Sequence, residues 1–296
     1  MVSRITILIP ARGEESVIVD TLEALRKTVQ TPHNILVVND RVSLSDETAQ
    51  VARSYANTHT NVSVVVLTRI GAQTPGFGAA LRAGFARVRT PCVVVVMADL
   101  SDDAATIDRM YQKMRSRIKT HGVRVLPGVP PQEYPQGDPF LGVPLRLSPA
   151  QSSQRGGFDI CSRYGWDVVG GCRYCPGGRK IGGPKLQGIF SRLLNTALFY
   201  IGFPTRDSTN AFKMYRTQAV REVPIKEESG TEASLTLLVD LYSRGARMVD
   251  IPTDWRGRKK GSPKFSILKR TIPYAKLLWK AFIISCRLLK TGLTNT

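Results

Sequence analysis

An α/β fold with a mostly parallel sheet flanked by helices is what the sequence predicts, on three observations. Short apolar, β-branched runs recur through the first hundred residues, helical spacings lie between them, and the runs carry no polar alternation. Strands buried on both faces read as continuous hydrophobic runs, and strands alternating with helices make parallel sheets with helical crossovers.

Ile5 to Ile9 forms the first such run and Pro10 ends it. Ser16 to Val29 places Val17, Leu22, Leu25 and Val29 at helical spacing. Ile35 to Val38 is a second strand, closing at Asn39-Asp40. Asp46 to Tyr55 reads as a helix, Val62 to Leu67 as a strand, Ala79 to Val88 as a helix and Cys92 to Val96 as the fourth strand. Ligands of such sheets bind beyond the carboxyl ends of the strands. That makes Pro10 to Glu14, Asn39-Asp40 and Met97 to Asp103 the segments to watch. A helix follows from about Ala104 to Lys119. Residues 121–165 are rich in Pro, Gly, Ser and Gln and have no sustained period, so they read as an insertion with a lid function or as disorder. Trp166 to Val169 resumes a strand that runs into Gly170 to Tyr174. A Gly- and Lys-rich loop, Gly177 to Lys185, leads to an amphipathic helix, Leu186 to Ile201. A helix over Ser234 to Ser243, a strand over Arg247 to Pro252 and a basic loop over Trp255 to Lys264 complete the domain, taken as residues 1–265.

The remainder, 266–296, is expected to hold an amphipathic helix over Thr271 to Lys290. At ~100° per residue, Lys276, Lys280, Arg287 and Lys290 fall within roughly a quarter of its circumference, the rest being mostly Leu, Ile, Phe and Trp279. That pattern suits a helix lying in a membrane interface; it also suits a helix docked on the domain with a solvated lysine edge. No signal peptide is apparent, and no run reaches the ~18 apolar residues that span a bilayer. The expectation is a cytoplasmic protein peripheral to the membrane. The net charge of +19 repels itself and calls for an anionic partner: nucleic acid, an anionic membrane or a phosphorylated substrate. Five cysteines, sparse and odd in number, argue for a reducing compartment. Cys172 and Cys175 form a C-x-x-C, but no second pair follows to complete a zinc site.

Asp99 closes the fourth strand, where a carboxylate can hold Mg²⁺ or Mn²⁺ together with substrate phosphates. The same stretch also reads as a helix start, with Ser101 or Asp102 as cap. Asp40 sits where a base or ribose can be read, or is a plain turn residue. Gly76-Phe77-Gly78 before a helix resembles a phosphate turn without its third glycine. Arg173, Arg179, Lys180, Lys185, Lys213, Arg256, Arg258, Lys259, Lys260 and Lys264 supply cations suited to phosphates.

Together these stretches resemble family 2 glycosyltransferases of GT-A fold, nearest to dolichol- and polyprenyl-phosphate mannose synthases. The matching segments are Ile7 to Glu15, Val37 to Asp40, Ala80 to Phe85, Val96 to Asp103, Gly171 to Tyr174, Gly177 to Pro184, Asp207 to Lys213 and Pro252 to Arg258, in family order. The resemblance implies a Rossmann-like sheet and a nucleotide-sugar donor such as GDP-mannose or UDP-glucose. It further implies Mg²⁺ or Mn²⁺ as cofactor and a lipid-linked phosphate as acceptor. Pro10, Ala11, Glu14 and Asp40 would hold base and ribose, Asp99 the metal, and Arg173 a phosphate. Asp207, Asn210 and Lys213 would line the reaction centre, and Arg256 and Arg258 would grip the acceptor phosphate. Three positions depart from the pattern: Met97 stands for the first carboxylate of D-x-D, Arg12-Gly13 replaces a common Tyr-Asn, and Thr236 stands where a second acid is frequent. The expected reaction is a single inverting displacement at the anomeric carbon. Asp207 would serve as base or orienter, or else pair with Arg206 or Lys213. Other acceptors (a modified nucleic acid or a glycan) and a non-catalytic membrane-bound homologue are the competing readings.

Overall fold

The computed structural model describes residues 3–72, 76–116, 165–225, 230, 232–257, 277 and 279–284. The strands are β1 (Ile5–Ala11), β2 (His33–Arg41), β3 (Val62–Thr68), β4 (Cys92–Val95), β5 (Val168–Cys172), β6 (Arg179–Ile181), β7 (Lys213–Arg216), β8 (Met248–Pro252) and β9 (Asp254–Arg256). The helices are α1 (Ile18–Thr28), α2 (Thr48–Ala56), α3 (Phe77–Arg87), α4 (Thr106–Arg115), α5 (Lys185–Tyr200), α6 (Thr217–Arg221) and α7 (Ala233–Ser243). Seven strands form one sheet in the order β3-β2-β1-β4-β7-β5-β8, and β6 pairs with β9 in a second, small sheet.

The apolar runs of β1, β2 and β4 become strands buried on both faces, while β3, at the sheet edge, is half-exposed. Ile5, Ile7 and Ile9 of β1 point into one core beneath α1 and α4, and Leu8 points into the other, beneath α3 and α7. The period of two along a strand puts neighbours on opposite faces, which is why no polar alternation was visible. Helix α3 lies close over β1 because Gly84 has no side chain. A Cβ there would come within 2.7 Å of Leu8 Cδ2.

The expected elements are present within a few residues of their anticipated ends, with several differences. Strand β6, inside the expected Gly177 to Lys185 loop, and the short helix α6 were not anticipated. Strand β7 was not anticipated; it runs antiparallel to both β4 and β5. Its four residues, Lys213-Met214-Tyr215-Arg216, contain no apolar run. The loop expected from Trp255 begins instead within β9, which pairs parallel with β6. Helix α4 is not capped by Ser101 or Asp102; Asp103 does that work, accepting from the Ala105 amide at 3.2 Å and the Thr106 hydroxyl at 2.8 Å. The described part of the tail is helical and docked: Ala281 is fully buried, Leu277 and Ile284 pack on the core, and Lys280 pairs with Asp240 at 2.5 Å. Trp279 and Phe282 stack outward, 5.7 Å between ring centres. Nearly all of the 121–165 insertion lies outside the described residues.

Replacing Gly84 with Val forces α3 off β1. Urea unfolding should show a loss of about 1–3 kcal/mol, the usual penalty of overpacking a filled core.

Candidate active site

The site lies where the sheet order turns. Strand β2 pairs with one edge of β1 and β4 with the other, all parallel. Chain connections therefore leave β1 in opposite directions, the arrangement in which open α/β sheets bind ligands beyond the carboxyl ends of their strands.

On the β1–β2 side, Pro10 and Ala11 are the last residues of β1 and Glu14 is buried just beyond. The Glu14 amide donates to Thr48 Oγ1 at 2.8 Å, and its carbonyl accepts from Val17 and Ile18. Asn39 is fully buried and donates through Nδ2 to Asp46 at 3.0 Å. Burial acts to raise the Asp46 pKa, but hydrogen bonds from Thr48 and Asn39 outweigh it and hold the carboxylate below its ordinary range. Asp40 is buried between two arginines, ion-paired with Arg12 and with Arg69 Nε at 2.6 Å. Gly76 presses against it, and any Cβ at that position would overlap the Asp40 carboxylate. Gly76 thus makes room for an aspartate.

The stretch after β4 is fixed from several directions. Thr21 Oγ1 donates to the Ala98 carbonyl at 2.8 Å, the Met97 amide to Asp102 Oδ2 at 2.9 Å, and the Ser101 amide to Asp99 Oδ1 at 3.1 Å. The Arg256 amide donates to the Ser101 carbonyl at 2.9 Å, which ties β9 to this loop. Leu100 adopts a left-handed backbone, φ 59°. For a residue with a branched side chain this costs about 1–3 kcal/mol and persists only where surroundings enforce it. Asp99 is 8% exposed, just past the end of β4. Asp102 carries a buried Oδ1 with no hydrogen-bond partner. Burial, and then the charge of Asp99, push its pKa up to about 7.

Opposite stands a buried ion pair. Arg173, just after β5, donates to Asp207 through its amide at 2.9 Å, Nε at 2.7 Å and Nη2 at 2.8 Å. The Asp207 side chain is fully buried. Desolvation acts to lower the Arg173 pKa, but the Asp207 charge and hydrogen bonds prevail and raise it. The expected partners of Asp207 were Arg206 and Lys213. The Arg206 amide instead donates to Asp250 at 2.6 Å. Lys213 is fully buried at the start of β7 and turns into the 207–210 loop, donating to the carbonyls of Asp207 at 3.1 Å and of Asn210. Burial pulls its pKa down to about 8, partly countered by Asp207 and Asp250. Asn210 Nδ2 donates to the Gly171 carbonyl at 2.8 Å, joining the same loop to β5.

Several residues here escaped the sequence reading. Asp250 on β8 accepts from Thr205 at 2.6 Å as well as from Arg206, and burial raises its pKa. Its only signal was a lone acid in the run Val249-Asp250-Ile251-Pro252. Asn195 of α5 binds Ser208 and Thr209, at 2.7 and 2.9 Å. The Trp255 ring lies between the Arg173 and Lys180 cations, 5.9 and 5.4 Å away. Arg179 is exposed and paired with Asp254 at 2.7 Å, and Arg256 is exposed on β9. Arg258, Lys259, Lys260 and Lys264 lie outside the described residues.

A hard divalent cation takes oxygen ligands, and Mg²⁺ is commonly held by one or two carboxylates plus substrate phosphates. Among the described residues no group of three His, Cys, Asp or Glu side chains gathers to cage a metal. The Asp99 carboxylate and the orphaned Oδ1 of Asp102 fit a cation completed by a phosphate-bearing ligand.

The family described as "Glycosyl transferase family 2" matches residues 6–181, more than half of the chain. The chain belongs to glycosyl transferase family 2. Among solved structures it is similar to glucosyl-3-phosphoglycerate synthase from Mycobacterium tuberculosis in complex with Mn²⁺, uridine diphosphate and glucosyl-3-phosphoglycerate. The identity is 14% and the TM-score 0.57, with 96% of this chain and 80% of that chain covered. The same synthase with Mg²⁺ and uridine diphosphate gives 13% identity and a TM-score of 0.56, covering 96% and 79%. A further structure, described as a mycobacterial protein, gives 16% and 0.54, covering 99% and 76%. At these identities the likeness is one of fold, the GT-A arrangement. No curated protein matches. Family and fold support glycosyl transfer as this glycosyltransferase's chemistry. The matched stretch contains Pro10, Ala11, Glu14, Asp40, Asp99 and Arg173 and ends before Asp207.

Asp207→Asn leaves the Arg173 charge buried without its counter-ion. Urea unfolding should show a loss of about 3–5 kcal/mol. Asp102 gives a pH signature. Its pKa in the fold, about 7, lies above the ordinary carboxylate value. The native state therefore binds the extra proton, and stability falls as pH rises from about 4 to 7. Asp102→Asn should remove that slope, unfolding at a higher temperature than the parent protein at pH 8 and near the same temperature at pH 4.

Proposed function

We propose that this glycosyltransferase moves a hexose from a nucleoside diphosphate sugar, GDP-mannose or UDP-glucose, to a polyprenyl or dolichyl phosphate at a membrane surface. The observation that carries this reading is the buried Arg173–Asp207 pair facing the Asp99–Asp102 loop. It sets a fixed cation opposite a pair of acids, with the cationic rim of Lys180, Arg179 and Arg256 beside it.

In this reading Pro10, Ala11, Glu14 and Asp40 contact base and ribose at the ends of β1 and β2. Asp99, with Asp102, would hold Mg²⁺ or Mn²⁺ against the donor's diphosphate, and the cation would supply charge stabilisation as that group leaves. A phosphate-monoester acceptor is already largely anionic near neutral pH, since its second pKa is about 6. Its oxygen attacks the anomeric carbon as the bond from that carbon to the diphosphate oxygen breaks, with inversion. The nucleoside diphosphate takes the electron pair, and no proton has to be removed. The chain's task is then to position two anions and balance their charge.

Asp207 suits that task as an orienter. Both its oxygens are engaged by Arg173, which fixes the guanidinium plane; no described residue takes Nη1, the edge left for a phosphate. Lys213 acts from behind, holding the 207–210 loop, and Arg256 and Arg258 would meet the acceptor phosphate. Peripheral attachment to the membrane accords with the described helices, none of which is long and apolar enough to cross one.

The test is transfer from radiolabelled GDP-mannose or UDP-glucose to polyprenyl phosphate in detergent, with Mn²⁺ or with chelator. Product should form only with metal, and Asp99→Ala should lower the rate at least a thousandfold while thermal unfolding stays within a few degrees. Transfer that persists in chelator would remove Asp99 from its assigned role.

A further inference from the structure

Helix α5 has two apolar faces, and only one of them is used by the fold. Leu194 and Leu198 are buried in the core, and Ser191 and Asn195 beside them hold the 207–210 loop. At ~100° per residue these four fall within about 100° of arc. The next arc of about 100° carries Leu186, Ile189, Phe190, Leu193 and Tyr200, all exposed; Leu186 is 77% exposed and Leu193 65%. A lengthwise stripe of large apolar side chains exceeds what a monomeric surface ordinarily shows.

We infer that this outer face of α5 is a membrane-docking surface for an anionic lipid bilayer. The charges around it select that occupant. The sequence of α5 contains no acidic residue. Arg192 is exposed along one edge, Lys180 donates to the Pro184 carbonyl at the helix start, and Arg206 lies 4.2 Å over the Phe199 ring near its end. Apolar residues flanked by cations are what a helix lying in the headgroup region of an anionic leaflet requires. A second copy would bring the same cations against one another, on a chain already at +19. The described tail residues make a poorer anchor, since Leu277, Ala281 and Ile284 turn inward.

The inference rests on the lipid-phosphate reading and gives it a geometry. The helix whose outer face meets lipid is the one whose inner face sets the site: Ser191 Oγ lies 2.7 Å from Thr209 Oγ1, and Tyr174 donates to Ser191 at 3.2 Å. Docking along α5 holds Arg173 near headgroup depth, where a lipid-borne phosphate sits.

The test is flotation of the full chain with vesicles of phosphatidylcholine, alone or with 30% phosphatidylglycerol by composition, roughly a natural anionic load. The parent protein should float with the anionic vesicles. A triple variant, Leu186→Ser, Ile189→Ser and Leu193→Ser, should lose at least tenfold in bound fraction while binding uridine or guanosine diphosphate unchanged. Trp279→Ser with Phe282→Ser should float as the parent does. Equal flotation of the triple variant overturns the inference. So does a parent that stays in solution, or one that sediments as a dimer which the triple variant dissociates. Flotation lost in the triple variant, with no transfer to polyprenyl phosphate by the parent, would uphold the docking surface and reject the acceptor.

Discussion

The Arg173–Asp207 ion pair is the constraint on which the loop from Asp207 to Asn210 depends. Two opposite charges removed from water are tolerable only if their remaining hydrogen-bonding capacity is met. Here Arg173 uses its amide, Nε and Nη2 on one carboxylate, and Thr209 adds a further acceptor at 3.1 Å. Around the pair, Lys213 and Asn210 stitch the same loop to β7 and β5, and Asn195 stitches it to α5. Three elements are thus registered to one salt bridge, and the guanidinium has little freedom left to rotate.

The β1–β2 side is organised differently. There the sheet itself sets geometry: parallel strands end side by side, and short polar links such as Thr21 to Ala98 and Glu14 to Thr48 hold the loops that follow. The loop from Met97 to Asp102 is held by hydrogen bonds at Met97, Ala98 and Ser101, and Leu100 is held against its backbone preference. A carboxylate presented from such a loop keeps a fixed direction.

Legibility followed chain distance. Strands β1, β2 and β4 were visible because burial on both faces writes a continuous apolar run, and Asp99 was visible because it closes one; β3 shows such a run as well, although it lies half-exposed at the sheet edge. Strand β7 was not, since Lys213 and Arg216 flank only two apolar residues and its place comes from pairing with strands far away in the chain. Strands β6 and β9 are three residues each and exist through each other. Arg173 and Asp207 were both singled out, but not as partners, because local reading looks to neighbours such as Arg206. Asp102 was read as a helix cap; its orphaned oxygen is a tertiary property with no local trace. The amphipathic tail was ambiguous for a physical reason, since a periodic apolar face says that something covers it and not what.

The reversed direction of β7 has a consequence for how such a protein can change. It joins a block made of residues before 116 to a block made of residues after 165, and it is the seam between them in the sheet. Pro10, Ala11, Glu14, Asp40 and Asp99 lie in the first block and the Arg173 cluster in the second. Beyond the strand ends the two blocks meet again, where the Arg256 amide donates to the Ser101 carbonyl. A substitution deep in one block therefore reaches the other through β7 or through such loops.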